Sequence, residues 1–307
     1  MPKLILFILF NIFFCKISLS NEINNYDQCN WNNKSNAPCL EIIGGISNTS
    51  KFSKSSINKV VISRKQIEET GSIDLIDALK VIPDINITQS GPKGQQASMF
   101  MRGTNSNHTI VMINGVPIND QSSTQGLHDF GVDFINTIQQ IEVYPGSSST
   151  NFGTNAIGGA INIILASDYK NHYKISTDKN DNYEFSGNKT FIKDKSIFNF
   201  KIGTVKRKTV SVKGNPDGEK DGVKNYSTNF NYENYINDNL RINFTNYIRQ
   251  TKSEYDNSAS DQIGYDNDNK MATFQFGLDS FKENENHNSK IYYTLYDRTY
   301  DEKGTID

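Results

Sequence analysis

Histidine, cysteine and tryptophan are scarce in this chain of 307 residues, which has four His, three Cys and one Trp. Neither an HExxH nor a CxxC motif occurs, so no zinc signature of those kinds is present. No nucleophile–base pair or metal triad stands out either, and we expect a protein that is not an enzyme. The formal net charge is -2 with no basic block, which argues against nucleic acid as a partner.

Long apolar runs are missing everywhere except at the start of the chain. Residues 1–20 combine a short basic start, the apolar run Leu4–Phe14 and the small residues Ser18-Leu19-Ser20. This order is typical of a secretory signal peptide, with cleavage after Ser20. The alternative is a membrane anchor, but the run is shorter than the ~20 residues that a spanning helix needs.

The cysteines that remain after removal of the signal peptide are Cys29 and Cys39. An even pair in an exported chain suggests a disulfide that closes a short loop. The alternatives are two independent thiols, or a metal clip without its other ligands.

Three zones follow the signal peptide. Residues 21–56 are polar and lack periodicity, which indicates a flexible periplasmic leader. Residues 57–167 contain short apolar runs separated by glycines, and we predict a compact α+β domain. Two helices are expected there, one capped by the S-x-x-Q pair Ser63 and Gln66, and one capped by Ser72 and ended by Pro83.

Residues 168–307 alternate apolar or aromatic with polar residues in seven segments separated by turn residues. The segments are 173–177, 185–192, 197–202, 227–235, 240–248, 271–278 and 291–296. This pattern suits antiparallel strands of a transmembrane β-barrel, whose outward side chains are apolar and whose inward side chains are polar. A soluble β-sandwich is the alternative, since periodicity alone does not exclude it.

Glycine motifs in the central zone are the most specific feature. They are Arg102-Gly103, Asn114-Gly115-Val116-Pro117, Ile141-Glu142-Val143-Tyr144-Pro145-Gly146 and Phe152–Ile164 with its Gly158-Gly159 pair. Asn-Gly between apolar segments is a strong hairpin signal. In this order and spacing the four motifs resemble the plug domain of TonB-dependent outer-membrane receptors, and residues 89–108 look most like the cobalamin-receptor subfamily.

The resemblance implies a plug that blocks a large barrel, ligand binding on loops at the outer end of the plug, and energy supplied by TonB. It implies two apical ligand loops, with candidate residues Lys93, Gly94, Gln95, Gln96, Ala97 and Ser98 in the first and Asn119, Asp120, Gln121, Ser122, Ser123 and Thr124 in the second. Both would suit a corrinoid or a siderophore, and simple solvated turns are the alternative. His128 is not expected to be a cobalt ligand, because a lone loop histidine lacks supporting ligands.

The TonB box, the segment that an extended partner peptide would pair with, is assigned to Leu40-Glu41-Ile42-Ile43-Gly44. An incidental apolar patch in the leader is an equal alternative. No cofactor is required, although calcium in the barrel loops is a possibility that the resemblance adds, with Glu219, Asp221, Asp256 and Asp266 as ligands. Solvated surface charges are the alternative there.

A plug–barrel lock is the last feature that the resemblance implies. In the family, two plug arginines pair with barrel glutamates; Arg102 is one of them, and Pro145 stands where the other is typical. A plugged transporter needs about twenty-two strands, whereas seven are visible before Asp307, so we expect the barrel to be truncated in this chain.

The function expected from these features is active, TonB-dependent uptake of a scarce ligand across the outer membrane, most directly of cobalamin or another corrinoid, by a monomer in contact with outer-membrane lipid. A ferric siderophore or haem receptor is the alternative within the class. A non-transporting adhesin or a phage or bacteriocin docking protein is the alternative from another class.

Overall fold

The computed structural model describes residues 59–120, 123, 125–165, 171–178, 180–208, 221–255, 265–282 and 286–302. The predicted signal peptide, the leader with Leu40–Gly44, and the cysteines Cys29 and Cys39 lie outside the described residues. Within the described ranges, no helix combines the length and the apolarity needed to cross a membrane.

The N-terminal domain, residues 59–165, combines three short helices with seven strands. The helices are α1 (Arg64–Glu69), α2 (Leu75–Leu79) and α3 (Ser149–Phe152). The strands are β1 (Val60–Ser63), β2 (Ile85–Gln89), β3 (Ala97–Met101), β4 (Thr109–Ile113), β5 (Val116–Pro117), β6 (Gln140–Pro145) and β7 (Gly159–Ile164). One sheet has the order β1-β6-β7-β4-β5, and β2 and β3 form a separate hairpin. The predicted α+β domain is therefore present.

Helix α1 begins as its capping box predicts. The Ser63 hydroxyl accepts a hydrogen bond from the Gln66 amide at 3.4 Å, and the Gln66 side chain accepts one from the Ser63 amide at 2.8 Å. The two bonds satisfy backbone donors that the first helical turn would otherwise leave without partners.

Helix α2 begins two residues later than predicted. The predicted cap, Ser72, is wrong: Asp74 caps the helix by accepting from the Asp77 amide at 2.8 Å. The Ser72 hydroxyl instead lies 2.8 Å from the Thr70 hydroxyl. Both residue types are good N-caps, and the tertiary position of Asp74 decides between them.

The Asn114-Gly115 pair forms the predicted hairpin turn between β4 and β5. Both residues have positive φ, +49° and +79°, as a type I′ turn requires. Strands β4 and β7 pair in parallel and are buried along their whole length, so the sheet has side chains packed on both faces. The core of the domain lies between this sheet and α2.

Residues from 172 onward form a second, seven-stranded antiparallel sheet in sequence order. Its strands are β8 (His172–Thr177), β9 (Tyr183–Lys193), β10 (Ser196–Lys208), β11 (Gly222–Asn237), β12 (Leu240–Glu254), β13 (Tyr265–Phe281) and β14 (Asn286–Glu302). Each of the seven predicted segments lies within one of these strands, and the strands extend beyond the predicted bounds at most ends.

Side chains alternate between the two faces of this outer sheet in the opposite sense to a soluble protein. Buried polar residues on one face include Asn199, Lys201, Asn225, Asn229, Arg249, Thr251, Thr273 and Gln275. Exposed apolar residues on the other face include Phe198, Phe200, Ile202, Ile248, Phe274, Phe276, Leu278 and Ile291. An apolar outer face is expected in lipid and unfavourable in water, so the soluble sandwich alternative is not supported.

The N-terminal domain packs on the inner, polar face of the outer sheet. Val205 and Val223 contact Phe134 in one cluster. Tyr247 and Met271 join the main core of the N-terminal domain. The outer sheet therefore buries its inner face against a folded domain rather than against a second sheet.

Candidate ligand site and domain interface

The first predicted ligand loop connects β2 to β3 and reaches the inner face of the outer sheet. A Cβ added to Gly94 would lie 2.6 Å from Val223 Cγ2. The Gln95 side-chain amide donates to the carbonyl of Glu254. Val223 is the second residue of β11 and Glu254 is the last residue of β12, so the loop lies against the start of β11 and the end of β12. Gln96, which precedes β3 and accepts a backbone hydrogen bond from the Ser90 amide, is exposed.

Lys93, in the middle of this loop, fixes it to α2 and to the cap residue Asp74. Its Nζ lies 2.8 Å from Asp74 Oδ2 and 2.5 Å from Asp77 Oδ2. Burial raises the pKa of Asp74 above its ordinary value, although the charge of Lys93 opposes the rise. Burial acts in the same direction on the less buried Asp77, but there Lys93 outweighs it and the pKa is lowered. Lys93 is thus committed to the fold of the loop.

Asn119 organises the start of the second predicted loop. Its Oδ1 accepts from the Val111 amide at 2.8 Å, and its Nδ2 donates to the Gly126 carbonyl at 3.0 Å. The side chain is 4% exposed. Asn119 therefore closes the two ends of the loop onto β4.

The rest of the second loop is held by its own turn chemistry. The Ser123 hydroxyl donates to the Asp120 carbonyl at 2.8 Å and accepts from the Leu127 amide at 2.9 Å. The predicted residues Gln121, Ser122 and Thr124 lie outside the described residues. Asp120 is buried, so Ser123 is the more accessible of the described members.

His128 follows this loop and points into the protein. Its Nε2 lies 2.5 Å from Asp133 Oδ2, and its ring packs edge-on against Phe130 with centroids 4.9 Å apart. One ring nitrogen and one side of the imidazole ring are therefore in contact with other residues of the N-terminal domain.

Inward side chains of the outer sheet hold the main chain of the N-terminal domain. Lys290 Nζ donates to the Asn114 carbonyl at 2.7 Å, and Lys201 Nζ donates to the Leu165 carbonyl at 2.8 Å. Gln275 donates to the Ile113 carbonyl at 3.1 Å. These bonds satisfy carbonyls at the carboxyl ends of β4 and β7, where the strand pairing of the five-stranded sheet stops.

Two ion pairs join the segment after His128 to the outer sheet. Asp133 Oδ1 lies 3.3 Å from Arg249 Nε, and both side chains are almost fully buried. Asp129 Oδ2 lies 3.6 Å from Arg298. Burial would raise the pKa of Asp133, but the charges of Arg249 and His128 outweigh it and the pKa lies below its ordinary value.

The comparison with family models gives one match. Residues 51–160 match the TonB-dependent Receptor Plug Domain. This chain contains a TonB-dependent receptor plug domain. The match includes all the glycine motifs through Gly159-Ala160, and it overlaps most of the predicted central zone, residues 57–167.

A curated relative and two solved structures agree with the assignment. The chain is 41% identical over 107 residues to the vitamin B12 transporter BtuB of Vibrio vulnificus, an alignment that covers 35% of this chain and 17% of that protein. The fold is similar to the ferric-catecholate import receptor Fiu of E. coli, with a TM-score of 0.65, 16% identity, and 79% of this chain and 37% of that chain covered. It is also similar to the ferric yersiniabactin uptake receptor FyuA of Yersinia pestis, with a TM-score of 0.62, 19% identity, and 80% and 42% covered.

These likenesses extend past the plug, and the fold of the seven antiparallel outer strands is similar to part of those receptors. The chain spans less than half the length of each solved structure and about a sixth of the curated relative. The identity to the solved structures is low, so they establish the fold and leave the ligand open.

The plug–barrel lock through Arg102 that the resemblance implied stays a prediction, and the described residues show this arginine in a pair within the plug. Its guanidinium pairs with Asp84 of the plug, with Nη2 2.9 Å from Oδ2, and its side chain is 43% exposed. Among the described residues it therefore makes a plug-internal pair rather than a bond to a barrel glutamate. The carboxylates of the observed interface, Asp129 and Asp133, belong to the plug, and the arginines belong to the barrel.

The predicted calcium ligands are divided between described and undescribed parts of the chain. Glu219 and Asp256 lie outside the described residues. Asp221 is buried at the start of β11, and Asp266 stands opposite Glu254 in the β12–β13 register. No group of three or more potential metal ligands occurs within the described ranges, so the calcium site stays a prediction.

The interface ion pairs were not predicted from the sequence. The sequence pattern did indicate the two barrel arginines. Arg249 and Arg298 occupy inward positions in strands whose side chains alternate between the two faces, and a buried charge there needs a partner. The alternation does not say which plug residue that partner is. Asp129 and Asp133 lie in an irregular segment without periodicity.

Proposed function

We propose that this protein takes up a scarce ligand across the outer membrane in a TonB-dependent manner. The observation that carries the proposal is a plug domain packed on the polar inner face of a sheet whose outer face is apolar. A plug that fills the lumen of such a barrel has to be remodelled before a ligand passes. In the proposal the leader presents Leu40–Gly44 to TonB, the receptor acts as a monomer in outer-membrane lipid, and no catalysis is required.

Cobalamin or another corrinoid is the ligand that we propose. The support is the 41% identity to a vitamin B12 transporter over 107 residues. The two apical loops add amide and hydroxyl groups, chiefly Gln96 and Ser123, which suit the amide-rich periphery of a corrinoid. A ferric siderophore is the second candidate, favoured by the folds of the solved receptors.

Equilibrium binding of cyanocobalamin to the purified protein in detergent, with and without a calcium chelator, tests both ligand and metal. Nanomolar to micromolar binding that weakens on chelation supports the corrinoid and the calcium ligands together. If the affinity for cyanocobalamin is the same with and without the chelator, and Asp221→Ala does not change it either, the calcium proposal is wrong and the corrinoid proposal stands. Absence of cyanocobalamin binding together with binding of a ferric siderophore moves the ligand to the second class, and absence of both favours a docking protein.

Gln96→Ala tests the first apical loop directly. We expect cyanocobalamin affinity to fall by about five- to tenfold, because one side-chain hydrogen bond to the ligand contributes on the order of 1 kcal/mol. Asn105→Ala is the matched control: Asn105 is also an exposed amide, makes no helix-capping bond, and lies beyond the opposite end of β3. Equal affinities of the two variants would remove Gln96 from the site.

A further inference from the structure

The strongest unassigned feature is the cluster of charged side chains that joins the plug segment 128–133 to the barrel wall. It contains His128, Asp129 and Asp133 from the plug, and Arg249 from β12 and Arg298 from β14. We define these five residues as the interface cluster. Four of the five side chains are nearly or fully buried, and Arg298 is 24% exposed.

We propose that the interface cluster is the latch that holds the plug in this receptor, with an acidic plug and a basic barrel, and that His128 ties the second apical loop to it. The latch requires neither a particular ligand nor TonB, so it does not depend on the ligand proposed above. Any movement of the plug along this wall has to separate Asp133 from Arg249.

Asp133 is the centre of the latch because each of its two carboxylate oxygens faces a different basic side chain. Oδ2 faces His128 Nε2 at 2.5 Å and Oδ1 faces Arg249 Nε at 3.3 Å. A buried carboxylate without such partners is strongly destabilising. The plug position that keeps both partners is therefore favoured over any position that loses one.

Arg249 also holds the main chain beside the carboxylate. Its Nη1 donates to the Val132 carbonyl at 3.1 Å, and Thr251 Oγ1 donates to the same oxygen at 2.7 Å. Two neighbouring barrel strand positions thus meet one plug carbonyl. These two hydrogen bonds fix the plug segment 128–133 both in its position along β12 and in its distance from β12.

Asp129 extends the latch to the first apical loop. Its Oδ1 accepts from the Ala97 amide and from the Gly131 amide, both at 3.0 Å, while Oδ2 faces Arg298. The Ala97 amide belongs to the first predicted ligand loop, and His128 follows the second. Each of the two loops that we assign to the ligand therefore contacts a carboxylate that pairs with the barrel. A rearrangement of either loop would change the contacts of the latch.

The test is backbone hydrogen exchange, read by mass spectrometry on plug peptides that cover 71–79 and 126–135 in the purified protein without ligand. The Leu75 amide donates to the Asp133 carbonyl at 2.9 Å, so its exchange reports detachment of the segment. We expect Arg249→Met to speed exchange in both peptides by about 100-fold or more, because a buried pair is broken on one side only. Adding Asp133→Asn to Arg249→Met should slow exchange again by about tenfold, since the unpaired charge is removed.

Two controls separate the latch from general loosening. Arg241→Met breaks the pairs of Arg241 with Asp279 at 2.8 Å and Glu233 at 3.1 Å, which lie wholly within the barrel wall, and should leave the plug peptides within twofold of the unmodified protein. His128→Gln keeps a side-chain N–H donor towards Asp133 and should preserve protection, whereas His128→Ala should lose it.

The outcomes that overturn the latch are specific. They are plug exchange unchanged in Arg249→Met, an equal effect of Arg241→Met and Arg249→Met, or no recovery in the double variant. If Arg249→Met fails to fold, Arg249→Lys replaces it, because an ammonium keeps the charge but lacks the planar fork that contacts Asp133 and the Val132 carbonyl together. In Arg249→Lys, an increase in plug exchange smaller than that expected for Arg249→Met would support the latch. An unchanged exchange rate would overturn it.

Discussion

At the scale of single residues, close approach between the two plug loops depends on one glycine. Gly131 lies against the Gln95 carbonyl so closely that an added Cβ would overlap the oxygen. Its neighbours Phe130 and Val132 are buried, so the segment has little room to move away. The absence of a side chain at this position is therefore what allows the first loop to rest on the interface segment.

Gly131→Ala should destabilise the plug by about 3 kcal/mol or more, in the range of overpacked buried sites. The matched control is Gly71→Ala, where φ is +65° but nothing lies within 4 Å of an added Cβ; it should cost only about 1 kcal/mol, from the strained backbone. The measurement is the melting temperature of the plug, detected by the temperature at which its peptide bonds become accessible to a protease. Equal costs at the two positions would show that the overlap with Gln95 relaxes easily.

At the scale of elements, helix α2 and the first apical loop stabilise each other through a buried charge. Asp74 caps α2 and is 0% exposed, and Lys93 reaches it from the loop. The sequence suggested a hydroxyl cap two residues earlier, because a local rule treats Ser and Asp as equal caps. Lys93, nineteen residues further along the chain, supplies the positive charge that offsets the cost of burying Asp74.

Lys93→Met should therefore change both the stability and its pH dependence. The pKa of Asp74 is already raised by burial, and without Lys93 it rises further. A carboxyl whose pKa is raised in the folded state is better tolerated when protonated, so the variant should regain stability as the pH falls through that raised value towards 3.8. Urea titrations at pH 7 and at pH 5 test this; a variant that loses the same stability at both values would contradict it.

At the scale of the whole molecule, the outer sheet is organised for lipid on one side and for the plug on the other. Ile202 lies near the middle of β10 on the outer face, and Phe191 lies on the same face two residues before the end of β9, opposite Phe198. Both are exposed apolar side chains, at 38% and 41%. They differ in their distance from the end of the strand, and hence in depth within a membrane.

Ile202→Lys should impair assembly in the outer membrane much more than Phe191→Lys. A lysine at the middle of the bilayer costs about 2–4 kcal/mol, and one near the interface costs about 0–1 kcal/mol. The measurement is the fraction of heat-modifiable, folded protein in outer-membrane extracts of cells that produce each variant. Similar fractions for both would argue that this face does not meet lipid.

The sequence by itself determined those features that depend on local geometry. Strand side chains alternate with a period of two residues, so the seven outer strands and the face of each residue followed from the pattern. The Asn114-Gly115 turn followed because few dipeptides adopt two successive positive φ values readily. The plug was recognisable because its glycine motifs recur in order.

Only the tertiary structure decided which charges meet. Arg249 faces inward by alternation, but its partner Asp133 lies in an irregular segment far away in the chain, and nothing local connects the two. Arg102 shows the same dependence, since among the described residues its guanidinium pairs with Asp84 of the plug. Electrostatic pairing depends on distance and burial after folding, so the position of the plug against the wall, rather than any motif, selects the residues of the interface cluster.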